Sequence, residues 1–192
     1  MIFFVTGASG SGKSACLPRL SDLLPEVAMH DFDELGVPAD ADKTWRQRTT
    51  EAWLRRGLAY EAQERSTMIC GGAVLGEILA CPSAPEVSRL ELCFLDCSDI
   101  VRIDRLRCRG EHGATQDTLN WAAWQRVHVV DPEWRADVIS ADSAPEMLWD
   151  RWSDWKRGDE RWQAHIVDTT ELSVSEVGQR VAIWARRRLT LG

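Results

Sequence analysis

The stretch GASGSGKS, residues 7 to 14, follows directly on IFFVT, residues 2 to 6, and leads into ACLPRLSDLL, residues 15 to 24. Ile2, Phe3, Phe4 and Val5 have the outline of a short buried strand, and the segment after Ser14 has that of a helix. Strand, glycine-rich turn and helix in that order make an anion cradle. The spacing G-x-x-x-x-G-K-[ST] puts glycines where the backbone must curl without a Cβ in the way, so that N–H groups converge on phosphate oxygens. Lys13 supplies a cation for the β- and γ-phosphates, Ser14 a hydroxyl for Mg²⁺, and the helix N-terminus a partial positive charge. Gly7, Ala8, Ser9, Gly10, Ser11, Gly12, Lys13, Ser14 and Ala15 are therefore the expected nucleotide-binding residues, with Lys13 also catalytic and Ser14 also a metal ligand.

The rest of the chain bounds what such a cradle serves. Its 192 residues, 44% hydrophobic and 28% charged, suit one domain over 1–192 with a core of its own and a lid or insert within it. A net charge of −7 argues against nucleic acid as the main partner, because phosphate contacts need a basic surface. The six cysteines form no C-x-x-C pair and no signal peptide precedes Ile2, so reduced thiols, a cytoplasmic setting and no zinc are expected. No apolar run reaches the ~18 residues a membrane span needs. Ten tryptophans against one tyrosine, crowded into the second half, imply a core packed with indoles or an aromatic wall for a ligand.

Outward from the cradle, EVAMHDFDEL (26–35) carries a second strand with Asp31 and Asp33 at its end, and residues 44 to 66 form one helix or two. STMICGGAVLGEIL (66–79) contributes a third strand ending at Gly71 and Gly72, RLELCFLDCSD (89–99) a fourth, and QAHIVDTT (163–170) a fifth. Helical stretches are expected at about 98–109, 117–128, 144–157 and 174–189, the last opened by the capping box SVSE. Pro18 falls inside the first helix and predicts a kink there. GEHGATQD (110–117) is a surface connection in outline. Strands alternating with helices give an α/β three-layer domain whose ligands sit beyond the carboxyl ends of parallel strands, where the glycine loop, Asp31, Asp33, Gly71, Gly72 and Asp96 all fall.

With GASGSGKS, HDFDE (30–34), VRIDRLRCRG (101–110) and VDTTELSVSEV (167–177) in this order, the chain resembles the small phosphate-loop kinases, the group of shikimate, gluconate and nucleoside monophosphate kinases and chloramphenicol phosphotransferase. The resemblance implies a P-loop NTPase fold with a five-stranded parallel sheet, a helical, Trp-rich lid and insert over residues 98–162, and transfer of the γ-phosphoryl group of ATP, with Mg²⁺, to a bound acceptor. On an extended chain Asp31 and Asp33 face one side. The resemblance gives Asp33 the acceptor hydroxyl and Asp31 the magnesium side, an assignment open to exchange. It also makes Arg102, Arg105 and Arg109, on one helix face, lid arginines over the triphosphate. Arg105 and Arg109 are accordingly expected to be catalytic, with Arg105 contacting nucleotide as well. Asp168 and Thr169 fall where relatives contact adenine. Arg46 is expected near the acceptor, Gly71 and Gly72 at close backbone approach, and Glu77 on acceptor hydroxyls. His128 is expected at the surface or as a cap.

No N-K-x-D stretch is present to read guanine, and Cys97 rather than an acid follows Asp96, so neither a GTPase nor a hydrolysing motor is favoured. A small-molecule hydroxyl acceptor, such as a sugar, nucleoside or antibiotic, is preferred to a nucleoside monophosphate, which needs extra arginines for its phosphate. A non-catalytic ATP-dependent binding module is the remaining alternative, and a monomer or homodimer the expected assembly.

Overall fold

The computed structural model describes residues 1–110 and 113–190. Of the connection 110–117, residues 111 and 112 lie outside the described residues. Five parallel strands, β1 (Ile2–Thr6), β2 (Ala28–Asp31), β3 (Thr67–Cys70), β4 (Leu90–Asp96) and β5 (His165–Asp168), pair in the order β2-β3-β1-β4-β5. The central strand β1 is buried throughout, as an apolar run covered on both faces should be. Ile2 and Phe4 point into one core and Phe3 and Val5 into the other, because successive side chains alternate across the sheet. The second core lies under α1 (Lys13–Leu23) and α7 (Val174–Thr190), with Leu20, Val181 and Trp184 filling it. Ser173 and Glu176 close the expected capping box on α7, each bonding the other's backbone N–H. α1 runs unbroken through Pro18.

The first core is larger and takes in α2 (Lys43–Glu61), α3 (Leu75–Ala80), α5 (Gln116–His128), α6 (Asp137–Ser140) and the chain as far as Trp162. α4 (Asp99–Cys108) follows β4 and packs beside the glycine loop. Gln47, fully buried on α2, fixes the insert by donating to the Ile139 carbonyl (2.8 Å) and accepting from the Ala144 N–H (2.8 Å). Lys43 and Arg48 add bonds to the Ala141 carbonyl (2.6 Å) and Glu146 (2.8 Å).

One helical expectation differs from the fold, while the third strand ends just before Gly71 and Gly72 and α3 follows them. The stretch 144–157 holds only a 3₁₀ turn, Trp149–Arg151, because its indoles reach separate tertiary acceptors: Trp149 the Ser143 hydroxyl and Trp152 the Gly76 carbonyl, both at 2.9 Å. Pro145 in the same stretch also lacks the N–H a helix needs.

Gly57 sits mid-helix in α2 because a Cβ there would fall 2.3 Å from Ile2 Cδ1. Gly57→Ala therefore lowers stability by about 1–3 kcal/mol, overpacking outweighing the ~1 kcal/mol that alanine gains in helix propensity. Urea denaturation measures the loss, and Ile2→Val in the same chain, which removes Cδ1 but keeps the Cγ1 contact at 2.8 Å, recovers part of it.

Candidate active site

The loop after β1 takes the shape that its glycines permit. Gly7, Gly10 and Gly12 have φ of 143°, 81° and 103°, and a Cβ at Gly7 would stand 2.1 Å from the Leu95 carbonyl oxygen. The loop's carbonyls are held from outside: Ser9 O accepts from Arg102 Nη1 (2.6 Å), Gly10 O from Arg105 Nη1 (3.2 Å), and Ser11 O from Thr169 Oγ1 (3.0 Å). With these carbonyls drawn outward and the Ser11 N–H closing on the Ala8 carbonyl (3.2 Å), the loop has a curl suited to an anion nest. Lys13 lies at the first turn of α1 with Nζ on the Ala8 carbonyl (3.1 Å), and Ser14 beside it is exposed.

Two hollows flank this loop. One, of about 450 Å³, is lined by Gly7–Gly10, Gly12, Lys13, Ser14, Asp33, Arg46, Gly71, Gly72, Arg109 and Trp121. The other, of about 540 Å³, is walled by Ala15, Val101, Cys108, Leu172, Val174 and Val177, and shares Gly12 and Arg109 with the first. The first is polar and faces the nest. The second is an apolar slot of the kind that takes a planar base.

The fold brings Lys13, Ser14, Asp33, Arg46, Gly71, Gly72 and Arg109 to one cavity and gives other expected residues different work. Asp31 caps the 3₁₀ turn Phe32–Leu35, accepting from the Asp33 N–H (3.0 Å), while Glu34 answers on the Asp31 N–H (2.8 Å). The chain has left the extended conformation at Phe32, so the two carboxylates do not share a strand face, and Asp31 does not line the cavity. Glu77, expected on acceptor hydroxyls, is fully buried and grips Arg46 Nε (2.8 Å) and Nη2 (2.6 Å) as well as Gln47 (3.1 Å). Arg105, expected as a catalytic lid arginine, is engaged by the Gly10 carbonyl and by the Thr169 hydroxyl (3.0 Å) and carbonyl (2.6 Å). Its guanidinium braces the loop, and the residue also lines the second hollow. Arg102, placed on the same lid face, is fully buried and also braces it. Thr169 is buried behind the loop, and Asp168 turns to the Thr170 hydroxyl (2.6 Å); Leu172, Ser173 and Val174 are the residues after β5 that line the apolar slot. Gly71 is required by close approach, since a Cβ would meet Phe32 Cβ at 2.0 Å.

Three features take roles that the sequence did not assign to them. Asp96, at the end of β4, accepts from Arg102 (2.7 Å) and from Arg126 of α5 (2.5 Å). Trp121 at the cavity wall carries the Arg46 guanidinium 4.8 Å from its ring centre and stacks on Trp124 at 4.9 Å. Trp124 stacks in turn on His128 at 4.5 Å. His128, expected at the surface or as a cap, is buried within the indole cluster, and burial lowers its pKa to about 4, so it is neutral at physiological pH.

Desolvation, then the charges of Arg102 and Arg109, lower the Lys13 pKa to about 8, against a smaller raising effect from Cys70 and Asp33. A phosphate at the loop favours the ammonium, so the pKa in the complex lies above that of the free protein. Binding is then at full strength below pH 8 and weakens as pH rises through the free-state value, with proton uptake on binding. The expected result is an ADP Kd flat from pH 6.5 to 7.5 that climbs toward tenfold per pH unit above about 8; titration calorimetry in buffers of differing ionisation heat reads both the affinity and the proton.

No family model and no curated protein sequence matches the chain. Solved structures match it over nearly its whole length at low identity. A sugar kinase from Janibacter sp. HTCC2649 is 16% identical, covering 96% of this chain and 94% of that one, with a TM-score of 0.61. A gluconokinase from Sinorhizobium meliloti 1021 is 18% identical, covering 97% and 91%, TM-score 0.55, and the shikimate kinase of Aquifex aeolicus is 18% identical, covering 100% of each, TM-score 0.54. The fold is that of the small phosphate-loop kinases, with its five-stranded parallel sheet.

Proposed function

We propose, with the small phosphate-loop kinase fold as premise, that this protein is an ATP-dependent phosphotransferase that moves the γ-phosphoryl group of ATP to a hydroxyl of a small molecule. The observation that carries the reading is that Asp33 shares one cavity with Lys13 and Ser14, while the acceptor-side cation Arg46 is already paired with Glu77. A nucleoside monophosphate acceptor would need cations for its own phosphate, and a paired arginine is a poor one. Neighbours named as sugar kinase, gluconokinase and shikimate kinase support the same class.

In this reading the nest and Lys13 hold the β- and γ-phosphates, and the apolar slot takes adenine. Asp33 orients the acceptor hydroxyl in line with the γ-phosphorus and receives its proton as the new O–P bond forms and the bond to the β-phosphate oxygen breaks, releasing ADP. Burial and the charge of Asp31 raise the Asp33 pKa, against a lowering effect from Lys13, a balance that suits a base. Mg²⁺, when bound, would supply neutralising charge to the phosphates, and Ser14 is the side chain that would hold it. Arg46, pinned by Glu77 and Trp121, presents its remaining N–H groups to the acceptor. Arg109, on both hollows, neutralises charge on the transferred group.

The test is ADP release from ATP·Mg²⁺ against panels of neutral sugars, nucleosides, hydroxylated antibiotics, sugar acids and nucleoside monophosphates. Stimulation by a hydroxyl compound supports the reading. Stimulation by nucleoside monophosphates alone overturns the acceptor class, and tight ATP binding with no stimulation across the panels favours a nucleotide-dependent binding module.

A further inference from the structure

We propose that Arg102, oriented by Asp96, is a positioning residue that sets the phosphate loop in its anion-binding shape before nucleotide arrives. The inference rests on the nucleotide-binding reading but not on any acceptor. Three successive loop carbonyls, those of Ser9, Gly10 and Ser11, are tied from the convex side by Arg102, Arg105 and Thr169. Arg102 makes the shortest of these ties and is the one brace that is a fully buried charge. A buried guanidinium is costly unless it is paired and hydrogen-bonded, so its presence under a loop of small residues calls for an explanation. Its donors supply one: Nη1 meets Ser9 O at 2.6 Å, and Nη2 meets Asp96 Oδ1 at 2.7 Å and the Cys97 carbonyl at 3.3 Å. The loop is moulded to it, since a Cβ on Gly10 would touch Arg102 Cγ at 3.1 Å.

Asp96 thereby has a role other than metal or water chemistry. It occupies the end of the strand next to the loop, yet its two oxygens serve Arg102 and Arg126. Arg126 also reaches Asp99 (3.1 Å), so helix α5, which carries the cavity-wall residue Trp121, is fastened to the same carboxylate that holds the loop's brace. The phosphate loop and the wall of the acceptor cavity share one anchor.

The test measures ADP binding to the full chain, with and without Mg²⁺, for the wild type, Arg102→Met and Arg102→Lys. Arg102→Met leaves Asp96 paired with Arg126, so no orphaned carboxylate forces unfolding. Expected are a Kd raised tenfold or more at pH 7 in Arg102→Met and partial recovery in Arg102→Lys, which keeps a donor for the loop carbonyl. Arg102→Met that binds ADP within twofold of wild type overturns the proposal, as does Arg102→Lys that binds no better than Arg102→Met. Should Arg102→Met fail to fold, Arg102→Lys decides: a threefold or greater loss supports the brace, and wild-type affinity overturns it. Wild type that does not bind ADP overturns the nucleotide reading itself, a distinct result.

Discussion

Lys13→Met is expected to reduce turnover by about 10²- to 10³-fold, the scale seen when one preorganised group facing developing charge is removed. The lysine stands at the first turn of α1 in the cavity that also holds Asp33, and without nucleotide its ammonium rests on the Ala8 carbonyl. Its lowered pKa means that the folded chain holds the charged form less comfortably than water does. The sign of the stability effect follows. With a folded pKa of about 8 against 10.5 unfolded, protonated Lys13 works against folding at pH 7, and that penalty fades as pH rises through 8. Methionine fills similar space without the charge, so the variant should melt at the same temperature as wild type or higher while losing activity. Thermal melts and steady-state rates on one preparation check both halves; near-normal turnover would remove Lys13 from the chemistry.

Asp33→Asn should lower kcat by about 10²- to 10⁴-fold while ATP affinity stays within a few-fold of wild type. The side chain is exposed at the cavity and its own backbone N–H is satisfied by Asp31, so among the described residues no hydrogen bond of the fold depends on the carboxylate. Asparagine keeps the shape but cannot accept the hydroxyl proton. The diagnostic is the split between a collapsed kcat and a retained ATP Kd. An Asn variant within fivefold of wild-type turnover would move the base elsewhere.

How much of this was readable beforehand depended on how local each signal is. GASGSGKS, the apolar core of each strand and the capping box of α7 are patterns in which neighbours in sequence decide the structure, and they gave the fold class and the phosphate side of the site. The expected shared face of Asp31 and Asp33 differs on a local detail: alternation holds only while the chain stays extended, and the capping box of Asp31 and Glu34 turns it at Phe32. Arg102 and Arg105 were legible as arginines on one helix face. Which way that face looks depends on Asp96 and on the Ser9 and Gly10 carbonyls, which meet α4 only after the sheet has assembled. Glu77 looked like an available carboxylate until Arg46 and Gln47 came in from another helix. The stretch 144–157 read as helical, but the indole N–H groups of Trp149 and Trp152 are anchors with separate addresses.

Those indoles also divide the molecule optically. Trp45, Trp53, Trp121, Trp124, Trp149, Trp152, Trp155 and Trp162 all belong to the core on one side of the sheet, and Trp184 is the one packed in the other. With Trp134 half-exposed outside both cores, emission from the buried indoles is thus mostly a signal from one face, while the layer of α1 and α7 holds Trp184 alone. Trp121 and Trp124, nearly parallel at 17° and 4.9 Å, are close enough for their excited states to mix. The near-ultraviolet circular dichroism of that pair is a built-in gauge of the wall against which Arg46 rests, readable without attaching any dye.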